Sequence, residues 1–198
     1  NAGGKVKEEV ISEILSLAEE YSFSYLDTAQ SYGDSEKVLG RNLPVNHTYK
    51  IISKFFAQPR TCFTIDDINS WETDFHRSKE LLGVACLDSF LIHDPADLRK
   101  KGKEHLLQWL FSLKSRGLVN RLGVSIYDAK DLVGIPDDLL DLVQLPLSLY
   151  DQRLLADGTI DQLRSKGCAV HARSIYLQGL LLSSSSAWPS WVCPESTK

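Results

Sequence analysis

The chain has 198 residues, of which 43% are hydrophobic and 24% are charged, and its formal net charge is −4 at pH 7. These values fit one globular domain with a substantial core, and they argue against nucleic acid as the main partner, since no basic stripe is present. No apolar run reaches the roughly 18 residues that a membrane span needs. Four scattered cysteines without a CxxC pair, and no segment typical of a signal peptide, predict reduced thiols and a cytoplasmic location.

The hydrophobic pattern switches repeatedly between helical and strand periods along the chain. Helices are predicted, in order, over about 6–21, 35–43, 64–83, 103–117, 128–135 and 157–167. Strands are predicted over about 23–28, 49–55, 87–93, 119–126, 140–147 and 168–175. This alternation predicts a parallel sheet with crossover helices.

Two architectures can hold such a sheet. A doubly wound open sheet usually has a glycine-rich phosphate loop after its first strand, and the sequence contains neither GxGxxG nor GxxxxGK[ST]. A (β/α)8 barrel instead places reactive residues at the carboxyl ends of several strands. One polar residue lies late in each of the six predicted strands: Asp27, Lys54, His93, Ser125, Gln144 and Arg173.

We therefore expect an α/β fold of the (β/α)8 TIM-type parallel barrel. A complete barrel needs about 250 residues, and no strand is predicted before the first helix. The barrel is thus expected to be truncated at both ends, with about six strands in this chain. We assign residues 1–182 to this partial barrel and 183–198, which contain a serine run and prolines, to a tail.

Four side chains near the predicted strand ends form a candidate proton-transfer set: Asp27, Tyr32, Lys54 and His93. A phenol has a pKa of about 10, and a neighbouring ammonium is expected to lower it. Asp27 would keep a buried Lys54 charged, and His93 would hydrogen-bond a substrate oxygen. Such a set can give a proton to a carbonyl oxygen or take one from a hydroxyl group. No His, Cys, Asp and Glu cluster has metal-ligand spacing, so no metal is expected.

Six segments resemble, in order, motifs of the aldo-keto reductase family: DTAQSYGDSEKVLGRNL, ISKF, LDSFLIHD, GLVNRLGVSIYD, LVQLPLSLYDQR and ARSIYLQGLLL. The resemblance covers roughly residues 6–182. It implies a TIM barrel that binds NADP(H) without a Rossmann fold. It also implies reduction of a small-molecule aldehyde or ketone by hydride from the nicotinamide.

The same resemblance implies roles for individual residues. Tyr32 would be the general acid, Lys54 and Asp27 would tune it, and His93 would orient the carbonyl. Ser125 and Gln144 would hold the carboxamide of the cofactor. The remaining cofactor contacts are implied for Arg173, Ser174, Leu177, Gln178 and Gly179, with the last three along the pyrophosphate.

Two residues depart from the family pattern. Ile126 stands where the family commonly has asparagine, so one hydrogen bond to the carboxamide is lost. Arg173 stands where an aromatic ring usually stacks on the nicotinamide. A cation there would disfavour the oxidised, positively charged ring, which predicts a bias toward reduction. The loop that grips the 2′-phosphate in the family lies outside these residues, which leaves NADP and NAD both open.

Two other functions also stay open. The chain could be a non-catalytic aldo-keto-reductase-like module or fragment that binds cofactor or a protein partner and shows no turnover. It could also be a barrel aldolase in which Lys54 forms a Schiff base with substrate, although the DTAQSYG segment argues against this.

Overall fold

Six parallel strands form one curled sheet, and their order in the sheet follows the chain. The structure is a computed structural model that describes residues 6–184 and 188. The strands are β1 (Tyr25–Asp27), β2 (Lys50–Phe55), β3 (Leu87–Ile92), β4 (Val119–Ser125), β5 (Leu142–Pro146) and β6 (Ala169–Arg173). The sheet curls into a half-barrel, which confirms the predicted parallel barrel with six strands.

One helix precedes β1, and the others lie in the crossover connections that parallel strands require. They are α1 (Glu8–Glu20), α2 (Ser35–Asn42), α3 (Asp67–Leu82), α4 (Lys103–Ser115), α5 (Arg153–Ala156) and α6 (Thr159–Ser165). Short 3-10 turns occur at Pro95–Arg99, Ala129–Leu132, Asp137–Leu139 and Leu177–Leu182. No helix in the described part of the chain is long and apolar enough to cross a membrane.

The main hydrophobic core lies between the sheet and the helices. Phe55 on β2 and Phe90 on β3 pack against Trp71 and Phe75 of α3 and Trp109 of α4. The ring centroids of the contacting pairs lie 5.1–6.3 Å apart. Burying one phenylalanine-sized side chain contributes about 1.5–3 kcal/mol, so this cluster holds α3 and α4 firmly against the middle of the sheet.

A second, smaller apolar layer fills the inside of the curled sheet. It consists of Ile52, Leu91 and Leu142, with Ala169 packed against them. Gly123 of β4 lies next to this layer, and a Cβ atom on it would overlap the backbone carbonyl of Leu142. A glycine is therefore required here for β4 and β5 to approach each other closely.

This inner layer determines where the polar strand ends lie. Side chains two residues apart along a strand point to the same face of a sheet. Lys54 follows Ile52 by two residues, and Gln144 follows Leu142 by two residues. Both polar side chains therefore lie inside the half-barrel, above the apolar layer and toward the carboxyl ends of the strands.

Three sequence predictions differ from the structure. The helix predicted over 128–135 is only the 3-10 turn Ala129–Leu132, because Val133 is extended and Gly134 has a φ of +78°. The strand predicted over 168–175 ends at Arg173, and the 3-10 turn Leu177–Leu182 follows it. The apolar face of α1, predicted from its helical spacing, is not buried. Most of the predicted tail over 183–198 lies outside the described residues.

Candidate active site at the carboxyl ends of the strands

An ion pair between β1 and β2 is at the centre of the candidate site. The Lys54 ammonium donates to Asp27 Oδ2 at 2.6 Å and to the backbone carbonyl of Thr28 at 2.8 Å. The Lys54 side chain is 2% exposed and that of Asp27 is 41% exposed. Burial lowers the pKa of Lys54, and the charge of Asp27 opposes this lowering. The pairing that the sequence predicted is therefore present, and it favours the charged form of the buried ammonium.

The phenol of Tyr32 lies beside this ion pair. Lys54 Nζ is 5.1 Å from the centroid of the Tyr32 ring, which is a cation–π distance. Gly33, which follows Tyr32, has a φ of +59° and so permits the sharp turn between β1 and α2. The Tyr32 side chain is thereby held at the mouth of the half-barrel, where a substrate could reach it.

His93 lies against Tyr32 at the end of β3. Their ring centroids are 5.6 Å apart and the rings meet edge to face. His93 Nδ1 lies 3.1 Å from the hydroxyl of Ser31. When this hydroxyl donates to Nδ1, the proton of the neutral imidazole is on Nε2. Burial, and then the charge of Lys54, lower the pKa of His93, which favours this neutral form at pH 7.

The expected direction of the Tyr32 pKa shift is wrong. The sequence predicted that the Lys54 ammonium would lower it. In the structure, burial and then the Asp27 carboxylate raise the pKa of Tyr32, whereas Arg173 acts in the lowering direction. The physical reason is that burial disfavours the charged phenolate and the Asp27 carboxylate repels it. A raised pKa leaves the phenol protonated at neutral pH, which suits a proton donor.

Gln144 on β5 connects the opposite side of the half-barrel to the same ion pair. Its Nε2 donates to Asp27 Oδ1 at 2.6 Å. Its Oε1 is buried and has no hydrogen-bond partner among the described residues. Ser125 is also buried, and it lies beside Gln144 in the register of β4 and β5. The Gln144 oxygen could accept a hydrogen bond from the N–H group of a carboxamide.

Arg173, at the end of β6, lies in the same region. Its guanidinium carbon is 3.9 Å from the centroid of the Tyr127 ring, and one terminal nitrogen donates to the Ile126 carbonyl at 2.9 Å. Its Nε is buried without a partner among the described residues. The charge of Arg173 acts in the lowering direction on the pKa of Tyr32, Lys54 and His93.

The turn after β6 has an unusual backbone. Ser174, Leu177 and Gln178 have φ values of 58°, 47° and 57°, and Gly179 has a φ of 90°. L-residues adopt this left-handed region rarely, and such residues cluster at ligand sites. Mixed left- and right-handed turns can direct several backbone N–H groups toward an anion. Within this turn the N–H groups of Leu177 and Gly179 donate to the carbonyls of Ser174 and Tyr176.

The structure therefore brings together all the predicted catalytic residues, and it places Ser125, Gln144 and Arg173 beside them on the next strands. Two further residues were missed by the sequence analysis. Ser31 lies inside the DTAQSYG segment and contacts His93, and Tyr127 follows β4 directly and contacts Arg173. Position alone could have pointed to both, since each follows the end of a strand.

Two open cavities adjoin these residues. One of about 670 Å³ extends between α1 and α2 and is lined by Asp27 and Tyr32. The other, of about 630 Å³, is lined by His93 and Tyr127. Within the described residues, no group of three or more His, Cys, Asp and Glu side chains could hold a metal ion.

The parallel half-barrel places the chain in the α/β-barrel class, with an Asp–Lys–Tyr–His set at the carboxyl ends of its strands. The chain matches the model of the aldo/keto reductase family over residues 1–187. It belongs to that family, as the motifs had indicated.

Solved structures share the fold, and a curated relative is similar in sequence. An aldo-keto reductase from Bacillus halodurans in its holo form superposes with a TM-score of 0.72 at 20% identity, covering 94% of this chain and 63% of that one. One from Klebsiella pneumoniae in complex with NADPH gives 0.69 at 19% identity, covering 87% and 60%. The oxidoreductase sirO of Leptosphaeria maculans is 32% identical over 124 residues, which are 62% of this chain and 36% of that protein. The chain thus spans less than two thirds of each of these three relatives.

Proposed function

We propose that this chain carries the active site of an NADPH-dependent oxidoreductase that reduces an aldehyde or ketone to an alcohol. The observation that carries this proposal is the position of the Tyr32 phenol, between the paired Lys54 ammonium and the His93 ring. Support also comes from the family and from the similar Klebsiella pneumoniae protein, which was solved with NADPH.

Each residue has one task in this reaction. Tyr32 gives its phenolic proton to the carbonyl oxygen, and its raised pKa keeps that proton available at neutral pH. Neutral His93 donates a hydrogen bond to the same oxygen and so orients the carbonyl. The Lys54 ammonium, held by Asp27, stabilises the phenolate that Tyr32 becomes after transfer.

The family resemblance implies which residues would hold the nicotinamide cofactor, and two of them, Gln144 and Arg173, have a buried polar atom without a partner among the described residues. Gln144 Oε1 and Ser125 would bind the carboxamide, and Arg173 would lie at the ring. The left-handed turn of Ser174, Leu177, Gln178 and Gly179 would lie along the pyrophosphate. The N–H groups of Leu177 and Gly179 already donate within the turn, so that of Gln178 would bind the phosphate oxygens. When bound, NADPH supplies the hydride that reduces the carbonyl carbon.

The experiment that tests this proposal combines binding with turnover. The chain is titrated with NADPH while the cofactor fluorescence is measured, and the consumption of NADPH is then followed with para-nitrobenzaldehyde. Saturable binding together with aldehyde-dependent consumption is expected. A folded chain that binds no NADPH contradicts the proposal. Binding without consumption instead supports the non-catalytic module, and trapping of substrate on Lys54 by borohydride supports the aldolase.

A further inference from the structure

The charge of Arg173 is not balanced by any acidic side chain in the described part of the protein. The neighbouring cation, Lys54, is paired with Asp27 at 2.6 Å. No ion pair among the described residues involves Arg173, and its one hydrogen bond goes to the neutral carbonyl of Ile126. The candidate site therefore contains one uncompensated positive charge.

This cation is fixed in place and partly withdrawn from water. Tyr127 covers one face of the guanidinium, and the Ile126 carbonyl holds one terminal nitrogen. The Nε atom is buried and lacks a partner among the described residues. A buried donor without a partner costs free energy, which a ligand can recover by accepting a hydrogen bond from it. A guanidinium suits carboxylate oxygens best, because its donors match them in pairs.

The position of the guanidinium indicates where such a carboxylate would lie. Arg173 stacks on Tyr127, and Tyr127 lines one cavity together with His93, whose ring meets that of Tyr32 edge to face. His93 and Tyr32 are the two residues that the proposed function places at the carbonyl oxygen. The proposed function assigns the pyrophosphate to the turn that follows Arg173 and only the uncharged reduced nicotinamide ring to Arg173 itself, so no anion of the cofactor pairs with the guanidinium.

We propose that Arg173 binds a carboxylate on the substrate, next to the carbonyl that is reduced. This inference rests on the proposed function and narrows its substrate class to oxo acids. The second cavity lies beside this position, because His93 and the Tyr127 ring that Arg173 stacks on both line it. Its other charged lining residues are of both signs: Lys130, Arg153, Asp94, Asp128 and Asp131.

The test compares a 2-oxo acid, phenylglyoxylate, with its neutral methyl ester. The ratio of kcat/KM for the acid to that for the ester is measured in the wild type, in Arg173→Gln and in Arg173→Lys. The acid and the ester differ in intrinsic reactivity, but this difference is the same for every variant and cancels when the ratios are compared. We expect the ratio to fall by about ten- to a hundredfold in Arg173→Gln, the range for a lost charged hydrogen bond. Arg173→Lys, which keeps the charge but not the paired donors, should lie in between.

Arg164→Gln is the matched control, since it removes an arginine from the exposed surface of α6. It should leave the ratio unchanged. Benzoate, which the enzyme cannot reduce, provides a readout without turnover. Its dissociation constant, measured by calorimetry, should rise by a similar factor in Arg173→Gln and stay constant in Arg164→Gln.

An equal ratio in the wild type and Arg173→Gln overturns the inference. So does a loss of NADPH affinity in Arg173→Gln with an unchanged ratio, because the guanidinium would then serve a cofactor phosphate. Failure of the proposed function is distinct: the wild type would reduce neither compound and would bind no NADPH. The benzoate titration still tests Arg173 in that case.

Discussion

Gln144 on β5 donates a hydrogen bond to Asp27 on β1 at 2.6 Å, although 117 residues separate the two along the chain. The other carboxylate oxygen of Asp27 accepts from Lys54. Asp27 thus joins three strands across the inside of the half-barrel. One carboxylate holds the buried ammonium in place and also connects the first strand to the fifth.

This arrangement predicts the effect of Asp27→Asn on stability. The substitution leaves the buried Lys54 ammonium without a counter-charge. Breaking a fully buried pair costs about 3–5 kcal/mol, and since the Asp27 side chain is 41% exposed we expect a smaller loss of about 1–3 kcal/mol in the free energy of unfolding. Urea denaturation measures the loss. Asp137→Asn, which breaks the exposed pair with Lys166, should cost less than about 0.5 kcal/mol.

A second substitution separates the charge effect from lost packing. Adding Lys54→Met to Asp27→Asn removes the unpaired ammonium, so part of the stability should return. If the loss of unfolding free energy in the double variant equals the sum of the losses in Asp27→Asn and Lys54→Met, the ion pair is not the reason for the loss.

Tyr32→Phe tests the proton donor. Removing the phenolic proton should lower kcat for aldehyde reduction by about 10²- to 10⁴-fold, the usual contribution of general acid catalysis. The dissociation constant of NADPH should stay unchanged. Because the pKa of Tyr32 is raised, wild-type kcat should not fall between pH 7 and pH 9 through loss of this proton. Tyr21→Phe, at the exposed end of α1, is the control and should keep full activity. Turnover by Tyr32→Phe close to that of the wild type would exclude Tyr32 as the acid.

The lowered pKa of His171 predicts how the stability of the fold depends on pH. Burial, and then the charge of Arg121, lower the pKa of His171, whose ring packs edge to face on Tyr25. On acidification His171 is therefore protonated near pH 6.5 in the unfolded chain, and only at a lower pH in the folded protein. The free energy of unfolding should fall as the pH drops below about 6.5. It should level off once the pH is below the pKa of His171 in the folded protein.

The measurement is urea denaturation of the wild type and His171→Gln at pH 7.5, 6.5 and 5.5. The variant should lose less stability on acidification than the wild type. His105→Gln, on α4, should follow the wild-type curve. Parallel curves for His171→Gln and the wild type would show that His171 does not contribute to acid sensitivity.

The parts of the fold and site that the sequence predicted depend on local patterns. Alternating periods gave the six strands, and motif order gave Asp27, Tyr32, Lys54 and His93 together with the family. The hydrogen bond from Gln144 to Asp27 was not predicted, because it depends on how far the sheet curls. The sign of the Tyr32 pKa shift was also wrong, since it depends on how far the fold buries the phenol and how near it brings the Asp27 carboxylate.

The helix α1 shows a different limit of the sequence pattern. Its apolar period correctly predicted a helix, but Val10, Ile14 and Leu17 are 39%, 49% and 53% exposed. A helical period indicates which side chains share a face, and it cannot tell whether that face is covered. Leu15, which lies off this face, is the α1 residue that is buried.

Arg173→Tyr tests the predicted bias toward the reduced cofactor. A positive charge at the nicotinamide repels the oxidised ring, which is itself positive, and leaves the neutral reduced ring unaffected. Wild-type protein should therefore bind NADPH more tightly than NADP⁺. In Arg173→Tyr the two dissociation constants should move closer together, mainly because NADP⁺ binding improves, by an amount on the order of tenfold for about 1.4 kcal/mol of relieved repulsion.

Fluorescence titration with NADPH and competition with NADP⁺ measure both constants. Arg164→Gln controls for the change in net charge and should retain the wild-type ratio. Arg173→Gln separates charge from ring stacking, because it removes the cation without adding an aromatic group. If the bias disappears equally in Arg173→Gln and Arg173→Tyr, electrostatic repulsion is its cause. If NADPH and NADP⁺ bind alike in the wild type and in Arg173→Tyr, the guanidinium does not lie near the nicotinamide ring.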